Sequence, residues 1–306
     1  MRATLRAIPV LGALAILVCA GCPPPANRVT AASLDRIRVA WPKALRAQWD
    51  QRLRDTNWMR QYLLVGVLAS RRAQKSGLPT QLSLHVQVRK KAGPWSVYFG
   101  RLATDGITFV ATHRVDVSGG RTRLTTLSGP RVLPEPLAAR ARAVRTARTY
   151  LNARSKGWAS AVQVRKHCWF NHLVRPRPDG RLEVYLVAFS EKSHRVILGG
   201  DYRLLLSADG KRVERFRSLH GGVIVIELKP GAAESPVVIH HIHSKREGDL
   251  PTATDLLKLR HSPALRGLVV VGPRYTVYLE RHPDKDVWST RLLDSKKYRA
   301  LIKGSR

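Results

Sequence analysis

The hydrophobic period of this chain switches repeatedly between helical spacing and strand alternation, and those switches constrain its fold more than any motif does. From Ser33 to about Lys75, the apolar residues Leu34, Ile37, Val39, Trp41, Leu45, Trp49, Leu53, Met59, Leu63 and Val67 recur mostly at helical spacings. Two helices follow, broken near Pro42, because proline removes an amide donor and crowds the preceding turn. Residues from about 80 to 133 alternate instead, as in Leu82-Ser83-Leu84-His85-Val86-Gln87-Val88, with turn signals at Gly93-Pro94, Asp105-Gly106 and Gly119-Gly120. That pattern predicts an antiparallel meander. Pro134-Glu135-Pro136 closes it and opens a helix through Tyr150 and Leu151, after which strands return until about residue 229. Asp179-Gly180 and Asp209-Gly210 are hairpin turns in that second meander. Gly199-Gly200, before Asp201-Tyr202-Arg203, reads as a bulge or turn, since no Gly-Lys-Ser/Thr follows to make a phosphate loop. Gly221-Gly222 after His220 reads the same way.

The chain beyond residue 230 predicts a strand, a helix and two further strands. Apolar spacing at Leu256, Leu257, Leu259 and Leu265 marks the helix, and Leu268 to Val271 and Thr276 to Leu279 mark the strands around a Gly272-Pro273 turn. The expected fold class is therefore α+β, antiparallel β-meanders with packed helices, in three segments covering 33–133, 134–229 and 230–306. The order helix, then meander, describes both of the first two segments and raises an internal duplication, which residue identity does not demonstrate.

Ahead of these segments, Arg2 and Arg6 precede an apolar run from Ile8 to Ala20 and then the small pair Ala20-Gly21 before Cys22. This is the layout of a secretory signal peptide over 1–21, and its apolar run is too short for the roughly 20 residues a transmembrane helix needs. Cys19-Ala20-Gly21-Cys22 resembles the lipobox of bacterial lipoproteins, with Cys19 where that family usually has Leu. The resemblance implies acylation of Cys22, a palmitate-bearing N-terminus and membrane attachment through lipid. Pro23-Pro24-Pro25-Ala26-Asn27 then makes residues 22–32 a stiff tether. The expected location is the cell envelope, facing periplasm or cell surface. Cys168 is left as the one cysteine of the mature part and reads as a small hydrophobe rather than a nucleophile.

Charge points to partners only weakly. Fifty-four Lys and Arg against 21 Asp and Glu give a net charge of +33, which excludes an ordinary near-neutral surface and would attract anionic lipids or envelope polymers. The densest runs are Arg71-Arg72-Ala73-Gln74-Lys75, Arg89-Lys90-Lys91 and Arg140 through Arg148, and in the last the cations recur every two or three residues, so they wrap a helix rather than line one groove. No aromatic ladder interleaves them, so sequence-specific nucleic-acid binding is not expected. Residues 134–229 resemble PepSY and cystatin-like modules in topology, one helix packed on a curved antiparallel sheet. That resemblance implies binding or inhibition, so a non-catalytic binding or scaffolding role is the leading expectation.

The densest chemistry is Val237-Val238-Ile239-His240-His241-Ile242-His243-Ser244. On a strand, His241 and His243 share one face and could chelate a metal, with His240 and Ile242 on the other. Downstream lies Pro251-Thr252-Ala253-Thr254-Asp255, at the start of the predicted helix. Together these are similar to the JAMM/MPN metalloproteases, whose core is His-x-His followed by Ser-x-x-Asp. The resemblance implies Zn²⁺ held by His241, His243 and Asp255, Thr252 in the place of the oxyanion-stabilising Ser, and zinc-dependent hydrolysis. Its general base stays open among Glu183, Glu191, Glu214 and Glu227. Thr252-x-x-Asp255 is equally a helix capping box, with no metal needed.

Overall fold

The computed structural model describes residues 31–78, 84–89, 93–154, 168–190, 192, 195–220, 222–227, 237–243, 248–262, 265–281 and 288–304. Cys22, the apolar run before it and the proline tether lie outside the described residues, as does Glu191. The fold is α+β. Helices α1 (Ala31–Arg36) and α2 (Lys43–Lys75) are separated where the sequence predicts, with Pro42 as the N-cap of α2 in an extended conformation. At 33 residues, α2 is about 50 Å long. Among the described residues no helix is long and apolar enough to cross a membrane. Instead α2 spends its apolar positions on three cores in turn: Leu45 and Trp49, then Met59, Tyr62 and Leu63, then Val65, Ala69 and Ala73.

The first meander is β1 (Leu84–Arg89), β2 (Trp95–Leu102), β3 (Phe109–Ser118) and β4 (Arg121–Val132), antiparallel throughout in the order β1-β2-β3-β4. Helix α3 (Glu135–Arg154) follows and is sandwiched between this sheet and the next. Ala138 and Ala141 pack on Phe109 and Ala111, while Ala139, Ala143 and Ala147 pack on the second sheet. The second sheet contains β5 (Cys168–Pro176), β6 (Leu182–Ser190), β8 (Tyr202–Leu206) and β9 (Val213–Ser218), in the order β5-β6-β8-β9. The predicted second meander is split, since β7 (Arg195–Gly199) leaves that sheet and pairs with β10 (Val223–Glu227). At the Asp209-Gly210 turn, Gly210 has φ 71° and lies so close to α3 that a Cβ there would sit 2.3 Å from the Ala139 carbonyl oxygen. Only glycine fits both conditions.

The C-terminal sheet is β11 (Val237–Ile242), β12 (Leu265–Val271), β13 (Tyr275–Arg281) and β14 (Trp288–Asp294), in sequence order. β11 and β12 are parallel, the one exception among the described strand pairs, because α4 (Ala253–His261) crosses over between them. Leu265 does not continue that helix as its spacing suggests but opens β12. The residue before Pro263 disfavours the helical region, and Ser262 is extended. β14 and a final helix α5 (Ser295–Gly304) extend the predicted strand-helix-strand-strand order. The N-terminal segment joins this sheet: Arg38 bridges Leu293, the Val39 amide donates to the Leu292 carbonyl, and Leu34 packs on Val271, Leu293 and Tyr298.

Two of the predicted basic-run residues serve as clamps. Arg142, 3 % exposed, donates to the carbonyls of Asp209 and Ile107 and pairs with Glu135, and Arg140 donates to the Gln87 carbonyl. They tie α3 to both neighbouring sheets, which removes them from any surface patch.

Candidate metal centre

Helix α4 organises the site through its first turn. The Thr252 hydroxyl accepts from the Asp255 amide at 3.1 Å, and the Asp255 carboxylate accepts from the Thr252 amide at 2.9 Å, a complete capping box. The capping role read from the sequence is therefore met, and it also fixes the Asp255 carboxylate toward the chain that precedes α4. His243 arrives there from the end of β11. Ile242 is 54 % exposed and His243 only 3 %, as strand alternation requires at an edge with one wet face. The His243 amide donates to the Val271 carbonyl, continuing the parallel pairing by one residue. His241 lies in β11 opposite Val270, and its side chain is outside the described residues.

The structure adds a histidine that sequence spacing does not single out. His220, in the turn between β9 and β10, joins His243 and Asp255 so that one potential ligand atom from each lies within 4.8 Å of the others. His220 Nε2 is 2.9 Å from Asp255 Oδ1, and His243 Nε2 is 3.8 Å from Asp255 Oδ2. His243 Nδ1 is 3.2 Å from the Gly248 carbonyl oxygen. A carbonyl only accepts, so that contact places the proton on Nδ1 and turns the Nε2 lone pair toward Asp255.

A second buried pair supports the cluster. Asp201 Oδ2 is 3.7 Å from His220 Nδ1, and the Asp201 carboxylate receives Lys258 Nζ at 2.6 and 2.8 Å and the Ala188 amide at 2.9 Å. Lys258 also donates to the Gly199 carbonyl at 2.8 Å. The Gly199-Gly200 turn makes this possible. Both glycines have positive φ, and a Cβ on Gly199 would lie 2.2 Å from the Gly222 carbonyl oxygen, so the two glycine turns back directly onto each other. Burial works against a charged His220, but Asp255 and then Asp201 outweigh it, and its pKa is raised above the ordinary imidazole value. Without a metal, the two carboxylates favour the protonated form of His220. With a divalent metal, the His220 proton gives way to the ion.

The donor set fits a borderline-soft divalent ion: two imidazole nitrogens and a carboxylate, with His243 oriented by the Gly248 carbonyl and Asp255 by the Thr252 amide and hydroxyl. The Thr252 hydroxyl, 3.3 Å from His220 Nε2 and 2.8 Å from Asp255 Oδ2, is the polar atom at hand for a fourth position. The side chains of His220, His243 and Asp255 all have 0 % exposure. Thr252 also lines a narrow crevice together with Arg52, Asp55, Tyr185, Arg203, Arg217, Leu219 and Ala253.

The described candidates for a general base are engaged elsewhere. Glu183 Oε2 accepts from Arg175 at 2.8 Å and Oε1 from Arg203 at 2.6 Å; Glu214 pairs with Arg181 and Arg212, and Glu227 with Arg195. Cys168 opens β5 opposite Ser190, with its side chain outside the described residues. The chain matches no protein-family model and no curated protein.

Proposed function

We propose that the protein is an exported lipoprotein, held to the cell envelope through Cys22, whose α+β ectodomain is a non-catalytic binding or scaffolding module. In this reading His220, His243 and Asp255 hold one divalent metal, with Zn²⁺ the best match, as an internal staple. The observation that carries it is the closure of the cluster. A hydrolytic metal keeps a coordination position that water and substrate can reach, whereas structural sites are enclosed. Here every donor is buried, and the Thr252 hydroxyl beside them is itself buried and tied to His220, Asp255 and Thr254. Bound metal would join α4 to the end of β11 and to the β9–β10 turn, segments far apart in sequence.

The test is metal content of the full-length protein, purified in detergent with no histidine tag. Near one zinc per chain is expected in wild type and none in His220→Ala/His243→Ala, and chelation should lower the melting temperature. No bound metal, with no stabilisation by added Zn²⁺, would leave the cluster as an ion-pair network. The anchor is tested separately: Cys22→Ala should release the protein from membranes at high salt.

A second reading, a JAMM-like zinc hydrolase, is favoured by one observation: Thr252 lines the crevice and touches His220. It requires zinc-dependent peptide hydrolysis that disappears in both His243→Ala and Thr252→Ala.

A further inference from the structure

We infer that the outer face of α5, with the adjoining end of α1, lies on anionic phospholipid headgroups of the membrane to which Cys22 tethers the chain; this rests on the lipid-anchor reading and gives the anchored ectodomain an orientation. Burial along α5 separates two faces. Tyr298 is buried, Leu301 and Ile302 are half-buried, and all three share one apolar cluster with Leu34 and Ile37 of the α1 segment. Lys296, Lys297, Arg299 and Lys303 are exposed, and the helix holds no acidic residue. At about 100° per residue, Arg299, Lys303 and Lys296 fall within about 60° of one another, on the side away from Tyr298. Arg299 also donates to the Gly272 carbonyl at 3.0 Å, which holds that stripe against the β12–β13 turn.

Two properties set this face apart from the rest of a basic protein. The first is position. Leu34 and Tyr298 belong to the same cluster, so α5 lies beside α1, where the tether from Cys22 arrives. From Cys22 to Ala31 the chain spans at most about 32 Å when fully extended, and an acyl group on Cys22 therefore keeps α1 and its neighbours close to the bilayer. Arg71, Arg72 and Lys75 are at the other end of the molecule, since α2 runs about 40 Å from the core at Leu45 to the first sheet at Ala73. The second property is charge. Arg36 and Arg38, exposed at the end of α1, add to the four cations of α5. The neighbouring carboxylates are engaged: Asp35 pairs with Arg291 at 3.2 Å, and Asp294 caps α5 by accepting from the Lys297 amide at 2.8 Å. Arg299 and Lys303 stand four residues apart, a like-charge pair that weakens a helix unless opposite charge faces it. A layer of anionic headgroups supplies that charge, over the roughly 10 Å that salt allows. A helix face is convex, so it meets a plane of headgroups rather than enclosing one small anion. The acyl group supplies retention, and the basic face supplies orientation.

The full-length protein is reconstituted into nanodiscs of phosphatidylcholine, alone or partly replaced by phosphatidylglycerol, and its lysines are acetylated with a water-soluble reagent, each rate being read by mass spectrometry. Lys296, Lys297 and Lys303 should react about fivefold or more slowly on the anionic discs, and high salt should remove the difference. Lys75 should react at the same rate on both. Lys303 then reports on variants: Lys296→Gln/Lys297→Gln should bring its protection below about twofold, whereas Arg71→Gln/Arg72→Gln, equal in charge at the other end of α2, should leave it intact. All four substituted positions are exposed, so melting temperatures should stay at the wild-type value. Slowing of Lys75 to the same degree as Lys303, or equal loss of protection in both variants, overturns the inference, because the attraction would then belong to net charge. Protection of Lys303 by heparin on neutral discs, with none from anionic lipid, also overturns it and reassigns the face to a polymer. The mass of the N-terminal peptide tests the anchor separately: no acyl group on Cys22 fails the anchor reading, and acylated protein with unprotected lysines fails this inference alone.

Discussion

Two polar networks sit on either side of the α4 N-terminus, and they solve the problem of buried charge in opposite ways. In the crevice, Asp55, Arg175, Glu183 and Arg203 come from α2, β5, β6 and β8, and the arginines keep part of their surface in water. That access lets water answer part of their charge. In the sealed cluster, Lys258, Asp201, His220 and Asp255 have almost no exposure, and their charges must balance within a few ångströms. The contrast teaches that a charge network open to solvent is forgiving of imperfect pairing, whereas a sealed one is not.

Breaking the sealed network should have the largest effect. Lys258→Met leaves Asp201 buried without its ammonium and should cost about 3–5 kcal/mol in urea unfolding; a loss well below that range would mean water reaches the cluster. Glu183→Gln is the matching test in the crevice. Its carboxylate is buried, but its arginine partners reach solvent, so the expected loss is smaller, about 1.5–3 kcal/mol by the same measurement. A cost above that of Lys258→Met would reverse the comparison.

Thr252→Ala removes the cap and should cost about 1 kcal/mol. The same substitution opens the cluster toward the crevice, so zinc release to a chelator should become faster. The smallest effect is in pH dependence. His220 has a raised pKa in the fold relative to its ordinary value of 6.5, so its contribution is full below that value and is lost as pH rises through the folded pKa. Chelator-treated protein should therefore lose stability on the alkaline side of 6.5, and Asp255→Asn should flatten that decline. The arginine network of Asp55, Arg175, Glu183 and Arg203 holds no histidine, so Glu183→Gln should leave the decline in place.

Local pattern made much of the fold legible in the sequence. The break at Pro42, the Asp-Gly turns and the helix after Pro134 follow from backbone chemistry that neighbouring residues alone decide. The departures come from tertiary choices. Gly199 ends β7 in a turn that lets it pair with β10 rather than join the second sheet, and β11 runs parallel to β12 because α4 intervenes. In the site, Asp255 and His243 were visible as Thr-x-x-Asp and His-x-His. His220 was not, because it reaches Asp255 from a turn 35 positions upstream, a contact no local spacing encodes. Asp201 hid behind Gly199-Gly200, which reads as an ordinary turn although it aims a buried carboxylate. The one available signal was that both glycine pairs border a titratable residue, Asp201 and His220.

The bridge between Arg38 and Leu293 sets an order of events for the newborn chain. Synthesis delivers α1 and the start of α2 well before β14, yet Leu34, Ile37 and Val39 rest on Leu292, Leu293, Asp294 and Tyr298. The first meander can pair its neighbouring strands as they emerge, since each contact is local. The α1 segment must wait for β14, so this part of the molecule closes only when that strand has arrived, and until then the apolar side of α1 depends on whatever keeps a half-delivered chain from aggregating.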